Sequence, residues 1–189
     1  MAKPKKLVAL MRALNVGGHT VKMEDLRAMF SALGLANVES FIASGNIIFD
    51  APGGAQSLAA RASLEKKIAA HLEQALGYPV ATFLRSPEEL AAAADYAAFD
   101  PAAVALAHSL HLAFMHAAPA AAALEKVLAL SDAVNLFHVH GRELYWLRQA
   151  GQDVSPFSGA HIEKALGAPV TARNITTVRK LAAKYGVTA

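Results

Sequence analysis

At 189 residues, 54% of them hydrophobic and only 17% charged, the chain has enough apolar material for a sizeable core and is long enough for one large or two small globular domains. The formal charge of +3, with basic residues gathered in KPKK (3–6) and RKLAAK (179–184), is a mild bias toward anionic partners that a solvated surface explains equally well. The absence of cysteine excludes a disulfide framework, a thiolate zinc site and a thiol nucleophile.

The chain opens MAKPKKLVAL, an apolar run soon broken by Arg12 and Asn15, which is not the pattern of a secretory signal. KKLVALM has strand length. MEDLRAMFSALG then places Met23, Leu26, Phe30 and Leu33 at helical spacing, with Gly34 as the stop. VESFIA and NIIFD flank Ser44, Gly45 and Asn46 and predict a hairpin, because glycine supplies the positive φ of tight turns. SLEKKIAAHLEQALG predicts a helix ending at Gly77, with Pro79 beyond it, and YPVATFL predicts a strand. In SPEELAAAA, Ser86 is the expected N-cap, Pro87 the first helical residue, and Glu88 and Glu89 complement the helix dipole. Residues 101–124 lack Asp, Glu, Lys and Arg, but three histidines, Ser109 and Pro119 interrupt them and alanine dominates. That is poor material for a membrane span, and a cytoplasmic protein is expected.

The same order then recurs. VALMRA (8–13) matches LAFMHA (112–117), FIASGNIIF (41–49) matches FHVHGRELY (137–145), and HLEQALGYPVATFL (71–84) matches HIEKALGAPVTARN (161–174). The spacing falls from 104 to 96 to 90, so the second copy is the first with shorter connections, and ITTVRKLAAKYG closes it as a helix. Aligning Gly45 with Gly141 and Pro79 with Pro169, the expected fold class is α+β: a tandem duplication of ferredoxin-like βαββαβ units, each followed by a helix. The boundaries are residues 1–100 and 101–189, with the join around 95–107.

RALNVGG near the start, the MEDLRAMF helix, the FIASGNIIF hairpin and the closing ALGAPVTARN together resemble a bacterial family of uncharacterised proteins, domain-of-unknown-function family 1697. The resemblance spans nearly the whole chain and implies the duplicated ferredoxin-like architecture without an established activity. The chain departs from that pattern at Ala13, where glycine would be usual, and at Ile175, where an aromatic commonly follows the Arg-Asn pair.

Positions where one copy turns polar are the candidates for something specific. The second copy ends its last strand in Arg173 and Asn174 where the first has Phe83 and Leu84; Asn174 also suits the N-cap of the last helix. RALNVGGHT has no counterpart in the second copy, and in a split βαβ unit this loop shares an end of the sheet with the hairpin turn. Asn15, Gly17 and Gly18 are therefore expected near Ser44, Gly45 and Asn46, and a glycine pair leading into a helix can offer backbone N–H groups to an anion. No Gly-Lys-Ser/Thr follows, so this is not a Walker loop, and turn chemistry alone accounts for the glycines and for Ser-Gly-Asn.

If Gly141-Arg142 is a two-residue turn, His138 pairs with Tyr145 and His140 with Glu143, while Phe137, Val139, Leu144 and Trp146 form the helix-covered face. The two histidines and Glu143 could ligate a metal, but a half-exposed sheet face carries such residues routinely, and no metal is assigned. By the same reasoning Ile42, Ile47 and Phe49, joined by Leu7, Ala9 and Met11, lie on the non-helical face of the first copy, which then packs on the other repeat or on a second subunit.

The leading expectation is a binding protein for a small anionic ligand or nucleotide, using Arg12, Asn15, Gly17, Gly18, Ser44, Gly45, Asn46, Arg173 and Asn174. No cofactor is implied, and no nucleophile stands at recognisable spacing from a base. A structural or interaction protein that homodimerises through its sheet face is the alternative. A nucleic-acid binder ranks lower, since the central strands lack the aromatic stacking residues such sheets use.

Overall fold

The run KKLVALM is apolar at successive positions, which suits a strand buried on both faces, and it forms β1 (Lys6–Met11). In the computed structural model, which describes residues 5–15, 18–42, 45–53, 55, 57–149 and 158–186, the chain continues through α1 (Met23–Ala32), β2 (Glu39–Ser40), β3 (Asn46–Asp50), α2 (Leu58–Leu76), β4 (Thr82–Arg85) and α3 (Pro87–Asp95). It goes on through α4 (Pro101–Leu106), β5 (Ser109–Phe114), α5 (Ala121–Leu128), β6 (Asn135–His140), β7 (Glu143–Arg148), α6 (Gly159–Leu166), β8 (Thr171–Asn174) and α7 (Ile175–Tyr185). The strands form two four-stranded antiparallel sheets in the orders β2-β3-β1-β4 and β6-β7-β5-β8, so the fold is α+β. The chain divides into two compact units, Met1–Glu89 with Lys184–Ala189, and Leu90–Ala183. Among the described residues no helix is long and apolar enough to cross a membrane.

Local chemistry sets the helix ends. Ser57 accepts a hydrogen bond from the Ala60 amide to cap α2, and Ser86 accepts one from Glu89 to cap α3. Gly77 and Gly167, both left-handed, close α2 and α6. Asp100 caps α4, taking the Ala102 and Ala103 amides, and Pro101 follows at its first turn. Asp100-Pro101 lies in the segment expected to join the copies, and there it starts a short helix that the sequence reading did not predict.

In the first unit, Leu26 and Phe30 of α1 and Ile68 and Leu72 of α2 pack on Leu7, Ala9 and Met11 of β1, Ile47 and Phe49 of β3, and Leu84 of β4. This corrects the expected face: Leu7, Ala9, Met11, Ile47 and Phe49 point to the helices. Ile42, expected beside them, is 54% exposed with φ of +50°. The other face carries Val8, Leu10, Ile48, Phe83 and Arg85, all buried as well. The error is one of register. With Met11 set against Met115, the Met11 amide donates to the Gly45 carbonyl and the Met115 amide to that of Arg142, so Gly45 stands in the place of Arg142 and not of Gly141. A one-residue slip exchanges every side chain between faces. β2 is also shorter than VESFIA suggested: the Phe41 amide still donates to the Asn46 carbonyl, but Ile42, with φ of +50°, takes the chain out of the extended conformation.

The second unit follows its expected register, with His138 opposite Tyr145 and His140 opposite Glu143. Phe137, Val139, Leu144 and Trp146 pack with Val127 of α5 and Ile162 of α6. Burying an aliphatic or aromatic side chain of this kind contributes roughly 1.5–3 kcal/mol, so these positions are the main anchors of each sheet to its helices.

Candidate ligand-binding site

The loop after β1 and the turn before β3 do meet at one end of the first sheet. Gly45 has φ of +70°, and a Cβ placed there would stand 3.4 Å from Leu14 Cδ2, so close approach of the two segments and the backbone conformation both favour glycine. Asn15 Oδ1 accepts from the Val21 amide at 2.9 Å and braces the loop across its own base. Gly18 is exposed with φ of +85°. Asn46 is buried and its Nδ2 donates to the Phe41 carbonyl, which holds the turn closed. Arg12 is half-buried, its amide donating to the Ala81 carbonyl. Gly17 and Ser44 lie outside the described residues.

Two side chains the sequence reading missed complete this end. Tyr78 donates its hydroxyl to the Leu14 carbonyl at 2.8 Å, and its ring stacks on His19 with centroids 4.2 Å apart. A signal was available, since the first copy reads GYPV where the second reads GAPV.

Arg173 and Asn174 belong to the second unit. Asn174 Oδ1 accepts from the Thr176 amide at 2.9 Å and caps α7. Arg173 donates to the Ala172 carbonyl and to Thr171 Oγ1, and burial lowers its guanidinium pKa to about 10, which leaves it charged at neutral pH. The contrast drawn between Arg173 and the apolar pair Phe83-Leu84 is an artefact of aligning the prolines. Val8 faces Arg85 across β4 and Leu112 faces Arg173 across β8, so an arginine occupies the corresponding strand position in both sheets. Arg85 is 1% exposed and donates to the Leu84 carbonyl just as Arg173 donates to that of Ala172. The pair of arginines is thus a shared feature of the two sheets, not a divergence.

His138 and His140 are drawn to Tyr96, in the segment after α3. His138 Nε2 lies 3.1 Å from the Tyr96 hydroxyl, and the His140 ring stacks on the Tyr96 ring at 4.0 Å. Among the described residues no three His, Asp or Glu side chains gather to hold a metal.

The larger opening lies elsewhere in the second unit. A cavity of about 380 Å³ is walled by Tyr96, Phe99, Leu110, Tyr145 and Ile175, with Asp95 and Arg179 as its charged members. Tyr145 donates its hydroxyl to the Ala93 carbonyl at 2.8 Å, and burial, with Glu143 and Tyr96 nearby, pushes that phenol well above its ordinary value. It is a fixed, neutral wall. Ile175, buried as the first residue of α7, lines the cavity at the position where the sequence pattern suggested an aromatic. A smaller cavity of about 240 Å³ in the first unit includes Lys6, Arg61, Ser86 and Glu88, but Lys6 pairs with Asp50 at 2.9 Å and Arg61 pairs with Glu89.

The family model for a protein of unknown function, DUF1697, matches residues 5–145. The chain belongs to the DUF1697 family. This DUF1697 protein also resembles the solved structure of a conserved bacterial protein, SP0830 from Streptococcus pneumoniae, at 22% identity over 98% of this chain and 100% of that one, with a TM-score of 0.67. At that identity the likeness speaks for the DUF1697 fold alone. No curated protein matches the chain.

Proposed function

We propose that this DUF1697 protein is a cytoplasmic bacterial binding protein for a small anionic organic ligand, a nucleotide or a similar molecule with a planar ring, built on two duplicated ferredoxin-like units. The observation that carries the reading is the 380 Å³ cavity of the second unit. Its volume falls in the range of small-molecule sites, and it has the mix that such sites show: mostly apolar and aromatic walls with a few polar groups that fix orientation. Tyr96 and Phe99 offer ring faces, and Arg179, exposed and without a hydrogen bond or ion pair among the described residues, offers a charged fork to a carboxylate or phosphate. A dimer built on the sheet face is less favoured, because both faces of the first sheet are already buried in a single chain. The same burial leaves that sheet no open surface on which bases would stack.

The loop end of the first sheet is the second location for the same chemistry, favoured by the stack of exposed His19, in the loop that follows Arg12, on half-buried Tyr78. A thermal-shift screen of nucleotides, phosphosugars and aromatic carboxylates tests both. A ligand of the cavity should lose about 10-fold or more in affinity with Arg179→Ala and should be insensitive to Arg12→Ala. The reverse pattern moves the site to the first sheet. A hit indifferent to Arg179, Tyr96, Arg12 and Arg173 together removes the proposal.

A further inference from the structure

Correct register between the two sheets exposes a divergence that alignment of the sequence motifs hid. With Met11 set against Met115, Leu7 of β1 corresponds to His111 of β5, and Ala51, just beyond β3, corresponds to Arg148 of β7. In the first unit these two positions are apolar, with Leu7 in the core and Ala51 packed against it, while the exposed Lys5 stands in the place of Ser109. In the second unit the same corner carries Ser109, His111 and Arg148. The fold itself therefore has no need of a histidine and an arginine at these two positions.

These polar groups are also unsatisfied. Ser109 Oγ, His111 Nδ1 and Arg148 Nε are all buried atoms, and none has a hydrogen-bond partner among the described residues. A buried polar atom without a partner is destabilising, so three together call for an explanation. They are neighbours: Ser109 stands directly opposite Arg148, and His111 lies opposite Trp146, one pair further along the same face. The Trp146 ring links them, with the His111 ring centred 5.6 Å away and the Arg148 guanidinium carbon 5.8 Å above it. The Trp146 indole N–H is itself spent on Asn135 Oδ1.

Each orphan is a potential donor. Arg148 Nε–H donates, the Ser109 hydroxyl donates, and His111 Nδ1 donates in one neutral tautomer and in the imidazolium. We infer that Ser109, His111 and Arg148 form a binding site for a small oxyanion of the phosphate class, set on the helix-covered face of the second sheet and independent of the cavity proposed above. The fixed charge of Arg148 supplies most of the attraction, and Ser109 and His111 give the geometry. Burial and the adjacent Arg148 and His108 lower the pKa of His111, a strain that an anion between them relieves.

The test uses the full-length protein. Trp146 is the only tryptophan, so its emission reports on this corner alone. Inorganic phosphate and glycerol phosphate should each produce a saturable change that potassium chloride at matched ionic strength does not. Tighter binding of the ester assigns the site to a larger phosphorylated ligand, and tighter binding of inorganic phosphate to the free ion. Calorimetry on Arg148→Met should show affinity lowered at least about 10-fold, and Ser109→Ala a smaller loss. The double variant His111→Leu, Arg148→Ala installs the apolar pair of the first unit; it should fold, melt no lower than the parent and bind neither probe. A wild-type response no different from that to chloride overturns the inference, as does phosphate affinity unchanged by Arg148→Met.

Discussion

Ala13 holds φ of +60°, at the position where the sequence pattern suggests glycine. A left-handed conformation costs an L-residue roughly 1–2 kcal/mol, whereas glycine adopts it freely but gives up about 0.5–1 kcal/mol of extra chain entropy on folding. Ala13→Gly should therefore stabilise the protein by up to about 1 kcal/mol, read as a higher urea midpoint at unchanged slope; a lower midpoint would mean that Ala13 is unstrained. Legibility at this scale depended on whether a residue acts locally. Asn174 was readable as a cap because its oxygen meets an amide two residues on. Asn15 was not readable as a brace, since its partner Val21 is known only once the loop has closed.

At the scale of elements, helices were the most legible, because their apolar spacing and caps lie within one segment. Leu26 and Phe30 of α1 are buried as the spacing predicted, and Ser86 caps α3. Strands needed a partner to fix their register. The first hairpin carries its apolar residues on both faces, so alternation could not distinguish two registers one residue apart, and the choice by glycine alignment inverted the faces. Two substitutions separate these registers. Phe49→Asp, in the helix-covered core, should cost at least about 3 kcal/mol, since it removes a buried ring and places an unpaired charge there. Ile42→Asp, at an exposed position whose φ of +50° suits aspartate better than a β-branched residue, should destabilise by no more than about 0.5 kcal/mol. Equal effects in chemical denaturation would contradict the register.

At the scale of the whole molecule, the last residues of the chain belong with the first unit. Tyr185 donates its hydroxyl to Glu39 Oε2 at 3.2 Å, its ring meets Phe41 edge-on at 6.3 Å, and Lys184 lies 5.6 Å over the Phe41 ring. These contacts are exposed and individually weak, so ending the chain after Ala183 should lower stability by about 1 kcal/mol, seen as a modest fall in melting temperature; an unchanged melt would assign them no role. The sequence by itself determined the α+β class, the element order repeated along the chain and the helix-covered face of the second sheet, because composition, caps and periodicity act over a few residues. Only the tertiary structure decided which arginines correspond, where the first hairpin sits, and that Tyr96 reaches His138 and His140 while Ser109, His111 and Arg148 share one corner. Strand register and the meeting of distant side chains are set by pairing across the sheet, and no local pattern encodes them.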